Sequence, residues 1–545
     1  MSFSGSRTLR ISSLLAAATA VSSGLIASTP ALAVSGPEAA AGQLTSVVRL
    51  NIGDEAHSRA CTGILVDQSW IATAASCFAA TPGTPVPAGK PALASTATLA
   101  GGTPVGIVDL IPRTDRDLVL ARLATPAAGV TGVKRATAAP ATGSELTAAG
   151  FGRTRTEWVP DKLHTGIFTL GSADATTYAI TGKGTDVLCK GDTGGPLLNA
   201  AGELVGINSR SWQGGCLGAP ATETRTGAVT ARIDDLNDWV QGVRALTPGW
   251  KAEALVQAGS TLYQGIRLND GSWTGFTDVQ AKAGNIGGVR TAAAAGINGD
   301  THVVALGGNG RLYHTVRKAD GTWGTFGDVN TAASNLTGIT QISTVSIGTD
   351  LHVVAVAGGK VFHTVRNADG YWTPFGDVAG AVGPIGAVTS VATASAGGQL
   401  QLVAVTGGKA FHTIRATTGH WTGWGDVAGA AGATGPISSV AMAGADNDAH
   451  LVIATDNGTR QYHTIRYGNG TWASFGDLKD YLGTLTVKSL AAGAVDGELQ
   501  LAVTTTDNRI VHTLRHTDRT WGTTAQVTTA GITGTLGSIS LAGTL

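Results

Sequence analysis

One short loop has the residue types and spacing best suited to chemistry. It reads Cys189-Lys190-Gly191-Asp192-Thr193-Gly194-Gly195-Pro196. Glycines on both sides of an Asp-Thr pair permit a tight turn whose backbone N–H groups converge on one point, as the stabilisation of an oxyanion requires. We therefore expect the amides of Gly191 and Thr193 to form such a hole, with the Thr193 hydroxyl beside it.

The elements that position this loop belong to a chain of 545 residues, which is too long for one hydrophobic core. Its 78 glycines and 14% of charged residues indicate folded units rich in turns, which favours an all-β architecture. The 37 basic residues balance 37 acidic ones, so no overall field attracts nucleic acid or an anionic membrane. We expect neither partner.

The N-terminus has the features of a secretory signal peptide. Arg7 and Arg10 precede an apolar run from Ile11 to Ile26, and Ala31-Leu32-Ala33 is a small-residue cleavage site. This pattern predicts a signal peptide over 1–33, a mature start at Val34 and a secreted, extracellular protein. A signal anchor is the alternative, but serines interrupt the run and it is short for a membrane span. No later segment is apolar enough for membrane insertion.

Four cysteines remain in the mature chain, Cys61, Cys77, Cys189 and Cys216. An even number in an exported protein predicts disulfides, and the sequence alone allows three pairings. Free thiols or a zinc site are the alternative, but C-x-x-C and paired histidine spacings are lacking. We expect no metal and no cofactor.

The first folded unit, over 34–246, shows strand patterns followed by a helical one. Short apolar or alternating runs between Gly and Pro clusters predict strands, and the last stretch predicts a helix from Ile233 to Val243. The predicted strands are Val47 to Ile52, Thr62 to Val66, Trp70 to Ala74, Leu118 to Leu123 and Leu204 to Asn208.

Three motifs of this unit resemble those of trypsin/chymotrypsin-like serine proteases. The Thr193 loop is similar to the family's Gly-Asp-Ser-Gly-Gly-Pro, the segment from Trp70 to Cys77 to one ending in Ala-Ala-His-Cys, and the segment from Asp117 to Leu123 to Asp-Ile-Ala-Leu-Leu-x-Leu. The resemblance implies a two-barrel domain with a C-terminal helix and a cleft for peptide or protein. It also implies two disulfides, Cys61–Cys77 and Cys189–Cys216.

The catalytic positions of the motifs are altered. Ser76 replaces the histidine, Thr193 replaces the nucleophilic serine, and Asp117 is kept. A serine hydroxyl is not a general base near neutral pH, and a threonine nucleophile needs a base beside it. We therefore predict a catalytically impaired pseudoprotease in which Ser76 and Ser209 hold Asp117. The alternative is an active serine-type endopeptidase that uses Thr193.

Other basic residues of this unit are poor substitutes for the missing base. We interpret His57 and His164 as surface or wall histidines. Lys190 would need a strongly lowered pKa, and nothing in the sequence indicates the burial that such a shift requires.

The resemblance assigns further positions around the cleft. Val187 stands at the base of the specificity pocket, and Ser209 and Arg210 stand where the family has Ser-Trp. The pocket is therefore expected to prefer apolar side chains, while the neighbouring Asp186 faces solvent. Asp192 is expected to pair with the amino group of Val34 once the leader is removed.

The second unit, over 247–545, consists of six repeats. Each has an arginine followed six residues later by a tryptophan, and the arginines are spaced 50, 49, 49, 51 and 49 residues apart. The pairs are Arg267 and Trp273, Arg317 and Trp323, Arg366 and Trp372, Arg415 and Trp421, Arg466 and Trp472, and Arg515 and Trp521.

Each repeat holds about four short strands, the fourth of them predicted around the tryptophan, which is typical of a propeller blade. The first copy lacks a first strand, and the C-terminal segment from Gly537 to Leu541 supplies one. We therefore predict a six-bladed propeller whose ends pair, with a linear β-solenoid as the alternative.

The propeller's function is suggested by a second resemblance. The repeated Trp-x-x-Phe-Gly-Asp-Val signature, together with the arginines, resembles tectonin-like and fucose-lectin-like propellers, which implies glycan binding at the arginines and tryptophans. An indole stacks on a sugar ring and a guanidinium donates to hydroxyls. In the alternative interpretation, Trp fills the space between blades and Arg ties strands together. One repeated histidine per blade is a weak metal signal, at His314, His363, His412, His463 and His512.

Overall fold

A computed structural model describes residues 34, 36–54, 58–81, 83–99 and 102–545. The predicted signal peptide and His57 lie outside the described residues. Among the residues that are described, no helix has the length and apolar character needed to cross a membrane.

The first unit consists of two closed barrels of six antiparallel strands each, which confirms the two-barrel, chymotrypsin-like prediction. The first barrel has the order β1-β2-β3-β6-β5-β4 and the second β10-β11-β12-β9-β8-β7. Their strands are Val47–Ile52 (β1), Arg59–Leu65 (β2), Trp70–Thr73 (β3), Ser95–Leu99 (β4), Val105–Pro112 (β5), Val119–Leu123 (β6), Glu145–Gly150 (β7), His164–Ala173 (β8), Thr177–Gly182 (β9), Pro196–Leu198 (β10), Leu204–Ser211 (β11) and Gly227–Arg232 (β12).

The helix that follows the barrels begins later than predicted. It spans Asn237–Arg244 (α1), not Ile233 to Val243. The preceding residues form a turn because the buried Asp234 accepts hydrogen bonds from the Tyr178 hydroxyl at 2.6 Å and the Arg232 guanidinium at 2.8 Å. These contacts fix the chain against the second barrel before the helix starts.

The second unit is a ring of six four-stranded sheets, as the repeat predicted. Five blades each follow one stretch of chain, and the remaining one combines the two ends of the unit. The strands are Lys251–Ala258 (β13), Thr261–Arg267 (β14), Thr277–Asp278 (β15), Val289–Ile297 (β16), Asp300–Gly307 (β17), Leu312–Arg317 (β18), Gly327–Asp328 (β19), Ile339–Ile347 (β20), Asp350–Ala357 (β21), Lys360–Arg366 (β22), Gly376–Asp377 (β23), Val388–Ala396 (β24), Gln399–Thr406 (β25), Lys409–Arg415 (β26), Gly425–Asp426 (β27), Ile437–Ala445 (β28), Asp448–Thr455 (β29), Arg460–Arg466 (β30), Gly476–Asp477 (β31), Val487–Val495 (β32), Glu498–Thr505 (β33), Ile510–Arg515 (β34), Ala525–Val527 (β35) and Leu536–Thr544 (β36).

The ring closes through β36, which pairs antiparallel with β13, so that Lys251 lies opposite Thr544. The C-terminal strand therefore completes blade 1 (β13–β15 with β36), and blades 2 to 6 follow in chain order from β16. This closed arrangement excludes the linear solenoid. Because the first and last strands of the unit share one sheet, neither end can leave the ring without breaking a blade.

The fourth strand is not formed around the tryptophan, as predicted, but by later residues: a Gly-Asp dipeptide in blades 2 to 5, Thr277–Asp278 in blade 1 and Ala525–Val527 in blade 6. The tryptophans make only single bridges to the arginines of their own blade. In blade 2, for example, Gly327 and Asp328 pair with β18, and Asp328 then accepts the Thr331 amide at 3.1 Å to begin a helix. Helices of five or fewer residues follow the fourth strand in blades 1 to 5, at Val279–Ala283 (α2), Val329–Ala332 (α3), Ala379–Val382 (α4), Val427–Ala431 (α5) and Lys479–Leu482 (α6).

Candidate functional site

The glycines of the Thr193 loop allow it to pack against the first barrel. Gly194 has a φ of +86°, and a Cβ there would lie 2.1 Å from Thr73 Oγ1 and 2.2 Å from the Thr62 carbonyl. The Thr62 amide donates to the Thr193 carbonyl at 2.9 Å. Only glycine permits this approach, and the loop is thereby held at the junction of the two barrels.

The same loop leaves two amides open. Gly191 has a φ of +103°, and its carbonyl is turned away to accept the Thr62 hydroxyl at 2.8 Å. The Lys190 carbonyl accepts the Arg153 amide at 2.8 Å. Within the described part of the chain, the amides of Gly191 and Thr193 donate to no acceptor. Two free donors side by side are the arrangement that an oxyanion hole needs.

The carboxylate of Asp117 is occupied by hydroxyl groups. Ser76 donates its amide to Oδ1 at 2.7 Å and its hydroxyl to Oδ2 at 2.8 Å, while the Ser209 hydroxyl donates to Oδ2 at 2.6 Å. The Thr193 hydroxyl donates instead to the Ser209 carbonyl at 3.4 Å. The three triad positions, two of them altered, therefore lie together, and among the described residues no proton acceptor of suitable basicity stands between Asp117 and Thr193.

The two described candidates for a substitute base lie elsewhere. His164 begins β8 in the second barrel, where burial lowers its pKa and its Nδ1 lies 3.4 Å from the Gly36 carbonyl. Lys190 is exposed to solvent. Among the described side chains, none with a basic group hydrogen-bonds the Thr193 hydroxyl.

Asp192 is fully buried and is held by backbone alone. Its carboxylate accepts the amides of Gly152 and Cys189, both at 2.8 Å. Because burial outweighs these two bonds, the pKa of Asp192 is raised to about 7. Val34 is also fully buried, in the core of the second barrel. The pairing of its freed amino group with Asp192 stays a prediction.

Two positions that the resemblance assigns to a pocket differ in exposure. Val187 is fully buried in a small cluster with the Cys189–Cys216 disulfide. Arg210 is exposed just after a bulge in β11. Asp186 does not face solvent as expected, because its Oδ2 accepts the Ile167 amide at 2.7 Å and partial burial raises its pKa. The second disulfide joins Cys61 to Cys77, so both pairings are those that the resemblance implied.

An exposed aromatic residue next to these positions was not foreseen. Trp212 is 56% exposed, and the Arg225 guanidinium lies 3.6 Å from the centre of its ring. The family has a tryptophan directly after the serine that Ser209 matches, whereas here Arg210 follows and the tryptophan lies at position 212. A bulge after Asn208 shifts the register of this strand.

In the propeller, the six repeated tryptophans lie between blades. All are partly buried, and five pack edge-on against a histidine of the preceding blade. These contacts have ring-centre distances of 5.6 Å for Trp372 and His314, 5.5 Å for Trp421 and His363, and 5.4 Å for Trp472 and His412, Trp521 and His463, and Trp273 and His512. Each indole therefore fills part of the space between blades and keeps part of its surface in contact with solvent.

Most of the repeated arginines do not tie strands together. Arg317 pairs with the buried Glu253 at 3.3 Å, and Arg466 donates to the Tyr467 carbonyl at 3.5 Å. In the described chain, the guanidinium groups of the other four make no hydrogen bond or ion pair with protein. Partial burial lowers the pKa of three of these four, namely Arg267, Arg366 and Arg515. Cations without partners therefore stand beside half-exposed indoles in most of the gaps.

The repeated histidines have buried partners that sequence reasoning missed. Three blades contain a second histidine, with Nδ1 to Nε2 distances of 3.1 Å for His302 and His314 and 3.0 Å for His352 and His363 and for His450 and His463. In blades 4 and 6 a glutamine takes that place. Aligning the second strands of the repeats would have revealed this alternation. No group of three or more potential metal ligands is found among the described residues.

Comparison with known proteins finds relatives of the first unit. Residues 33–240 match the trypsin family. The chain is 32% identical to a putative peptidase of Corynebacterium glutamicum over 220 residues, which cover 38% of this chain and 73% of the relative. It is 28% identical to glandular kallikrein-10 of Rattus norvegicus over 228 residues, covering 34% and 82%. A scabies mite inactivated protease paralogue superposes with a TM-score of 0.32 and 17% identity, covering 39% of this chain and 99% of the other. Through its first unit, the chain belongs to the trypsin family.

Proposed function

We propose that the trypsin-like unit binds peptide or protein segments without cleaving them, in a protein exported by its N-terminal leader. The observation that carries this proposal is the state of Asp117, whose carboxylate accepts hydrogen bonds from Ser76 and Ser209. Among the described residues, no imidazole lies where it would take the proton of residue 193. Loss of nucleophile or base from such a triad lowers turnover about 10^6-fold.

Binding, by contrast, needs groups that this cleft retains. Among the described residues, the amides of Gly191 and Thr193 have no acceptor and are free to donate to a carbonyl oxygen, and the residue assigned to the pocket base, Val187, is apolar. A segment with an apolar side chain can therefore be held by hydrogen bonds and burial although its peptide bond stays intact.

Incubation of the mature protein, 34–545, with casein and a panel of apolar peptides tests this function. We expect no turnover above the buffer rate for the wild type or for Thr193→Ala, while both bind the same peptides in titration calorimetry. Cleavage by the wild type that Thr193→Ala abolishes would instead establish the alternative, an active endopeptidase that the propeller directs to a surface.

For the propeller we propose the binding of surface glycans in the gaps between blades. The support is the unpaired arginine beside a half-exposed indole, since a sugar ring offers C–H groups for stacking and hydroxyls for planar donors. The gap between blades 1 and 2 is the exception. There Arg317 pairs with Glu253, and Leu246 of the segment after α1 lies next to Gly321.

The number of glycan-binding sites tests whether the gaps between blades bind glycans. Calorimetry measures it with a glycan first selected on an array. Arg366→Ala is expected to remove one binding site from the stoichiometry and leave the others unchanged. Arg317→Lys keeps a cation for Glu253 and is expected to change nothing. If Arg366→Ala leaves the stoichiometry intact, the arginines are structural; if Arg317→Lys loses a site, the first gap also binds.

A further inference from the structure

The gap between blades 5 and 6 differs from the others in one residue of a tight turn. Two residues before the repeated tryptophan, five blades have a glycine with left-handed φ: Gly271 at +81°, Gly321 at +84°, Gly370 at +94°, Gly419 at +89° and Gly470 at +90°. Blade 6 has Arg519 there, with a φ of +72°. A side chain in this conformation is strained relative to glycine, and such strain concentrates at functional positions.

The strained residue places a second cation in this gap. The Arg519 guanidinium lies 5.6 Å from the ring centre of Tyr467 in blade 5. It lines a cavity of about 290 Å³ together with Arg515, the repeated arginine of blade 6. Tyr481 and Trp521 line the same cavity and stack on each other, with ring centres 5.5 Å apart. Two guanidinium groups and three aromatic rings thus surround one space.

The protein compensates the positive charge of this cavity only in part, because Asp518 attracts Arg515 through space without a hydrogen bond. In the part of the chain that the structure describes, the guanidinium groups of Arg515 and Arg519 form no hydrogen bond or ion pair, and Arg515 Nε is buried without a partner. Asp477 lines the cavity but pairs with Arg460 at 2.8 Å. Asp518 accepts two hydrogen bonds from Thr520. An anion entering the gap would therefore find two unpaired donors.

We propose that the gap between blades 5 and 6 binds an acidic sugar, with its carboxylate on Arg519 and Arg515 and its ring against Trp521 and the two tyrosines. The inference rests on the proposed glycan function of the propeller and gives one gap a ligand class of its own. Gaps with a single arginine suit neutral sugars, whose hydroxyls need donors but no net charge. The aromatic surface argues for a sugar acid over a bare anion, because an inorganic ion has no ring to stack.

Calorimetry on the full-length protein with methyl β-D-glucuronide and methyl β-D-glucoside isolates the carboxylate, since the two ligands differ only there. We expect the glucuronide to bind about tenfold more tightly, the difference that one charge-assisted hydrogen bond provides. Arg519→Gly is expected to remove this preference. The variant restores the residue that the other five blades use, so its melting temperature should equal or exceed that of the wild type.

Two controls make the outcomes distinct. Arg311→Gln removes a surface cation that pairs with Asp328 in blade 2, and it is expected to leave the glucuronide preference unchanged. Inorganic phosphate is expected to bind far more weakly than the glucuronide. An unchanged preference in Arg519→Gly, or phosphate binding as tight as the glucuronide, would overturn the acidic-sugar site while neutral glycans still bind. Absence of all glycan binding would overturn the proposed propeller function as well.

Discussion

The double substitution Ser76→His/Thr193→Ser is expected to raise peptide turnover at least about a thousandfold over the wild type. The reason lies in what the site still offers. Asp117 Oδ2 already lies 2.8 Å from the Ser76 hydroxyl, so the imidazole of a histidine at position 76 would lie beside the carboxylate that orients it. The amides of Gly191 and Thr193 are open to the oxyanion. The double substitution supplies the base and a less hindered nucleophile, and if Val187 forms the pocket base, as the family resemblance implies, cleavage should follow apolar side chains.

Three variants separate the contributions to this gain. Ser76→His/Thr193→Ala has the base without a nucleophile, and Thr193→Ser alone has the nucleophile without a base, so both are expected to stay near the wild-type rate. Ser76→His alone asks whether threonine can serve once a base is present. A double variant that folds with an unchanged melting temperature and yet stays at the buffer rate would mean that the cleft itself, and not only the triad, has been lost.

The positions of the barrel site were predicted from the family resemblance, which rests on short motifs with covalent and steric requirements. Disulfide-bracketed loops, the glycines around Asp192 and Thr193 and the strand after Asp117 are local patterns that allow few structures. Asp186 was misplaced for a complementary reason. Its side chain is recruited by the Ile167 amide on another strand, a contact between distant segments that neither spacing nor hydropathy records.

The propeller shows the same division between local and distant information. The spacing of the repeats was enough to predict six blades and the pairing of the C-terminal strand β36 with β13 at the start of the unit. The fourth strands were misassigned because a tryptophan has a high strand propensity, whereas the Gly-Asp dipeptide that pairs has a low one. The φ of Arg519 is equally hidden in a single sequence until the repeats are compared turn by turn, when the missing glycine becomes visible.

Acidification from pH 6.5 to 4.5 is expected to destabilise the propeller strongly. Eight histidines lie neutral between strands, seven of them buried and His314 partly buried, and burial lowers their pKa to about 3 or 4 in seven cases and well below 6.5 in His463. The arginine of the following blade adds repulsion, as Arg366 does for His302 and His314. Protonation of these side chains is therefore less favourable in the folded state than in the unfolded chain.

The sign of the effect follows from proton counting. The unfolded histidines bind protons as the pH falls through about 6.5, whereas the folded ones stay neutral until about pH 4. Between these values the unfolded state binds more protons, so the free energy of unfolding decreases as the pH falls. The limit is about 1.4 kcal/mol per histidine and pH unit. If each of the eight residues contributes only a fraction of this limit, the free energy of unfolding decreases by on the order of 5 kcal/mol over two pH units. Calorimetry of the full-length protein at pH 7.5, 6.5, 5.5 and 4.5 would reveal this decrease.

The chain itself supplies the matched variant for this measurement. In blades 4 and 6, Gln401 and Gln500 occupy the place of the second histidine and pair with His412 and His512, both at 2.9 Å. The triple substitution His302→Gln/His352→Gln/His450→Gln copies that solution into the other three blades. At pH 7.5 it should melt within a few degrees of the wild type, since each glutamine oxygen still accepts from the remaining imidazole. Its loss of stability toward pH 4.5 should be smaller by about a third, because three of eight titrating groups are gone. An acid response identical to that of the wild type would assign the transition to the barrels or to surface carboxylates instead.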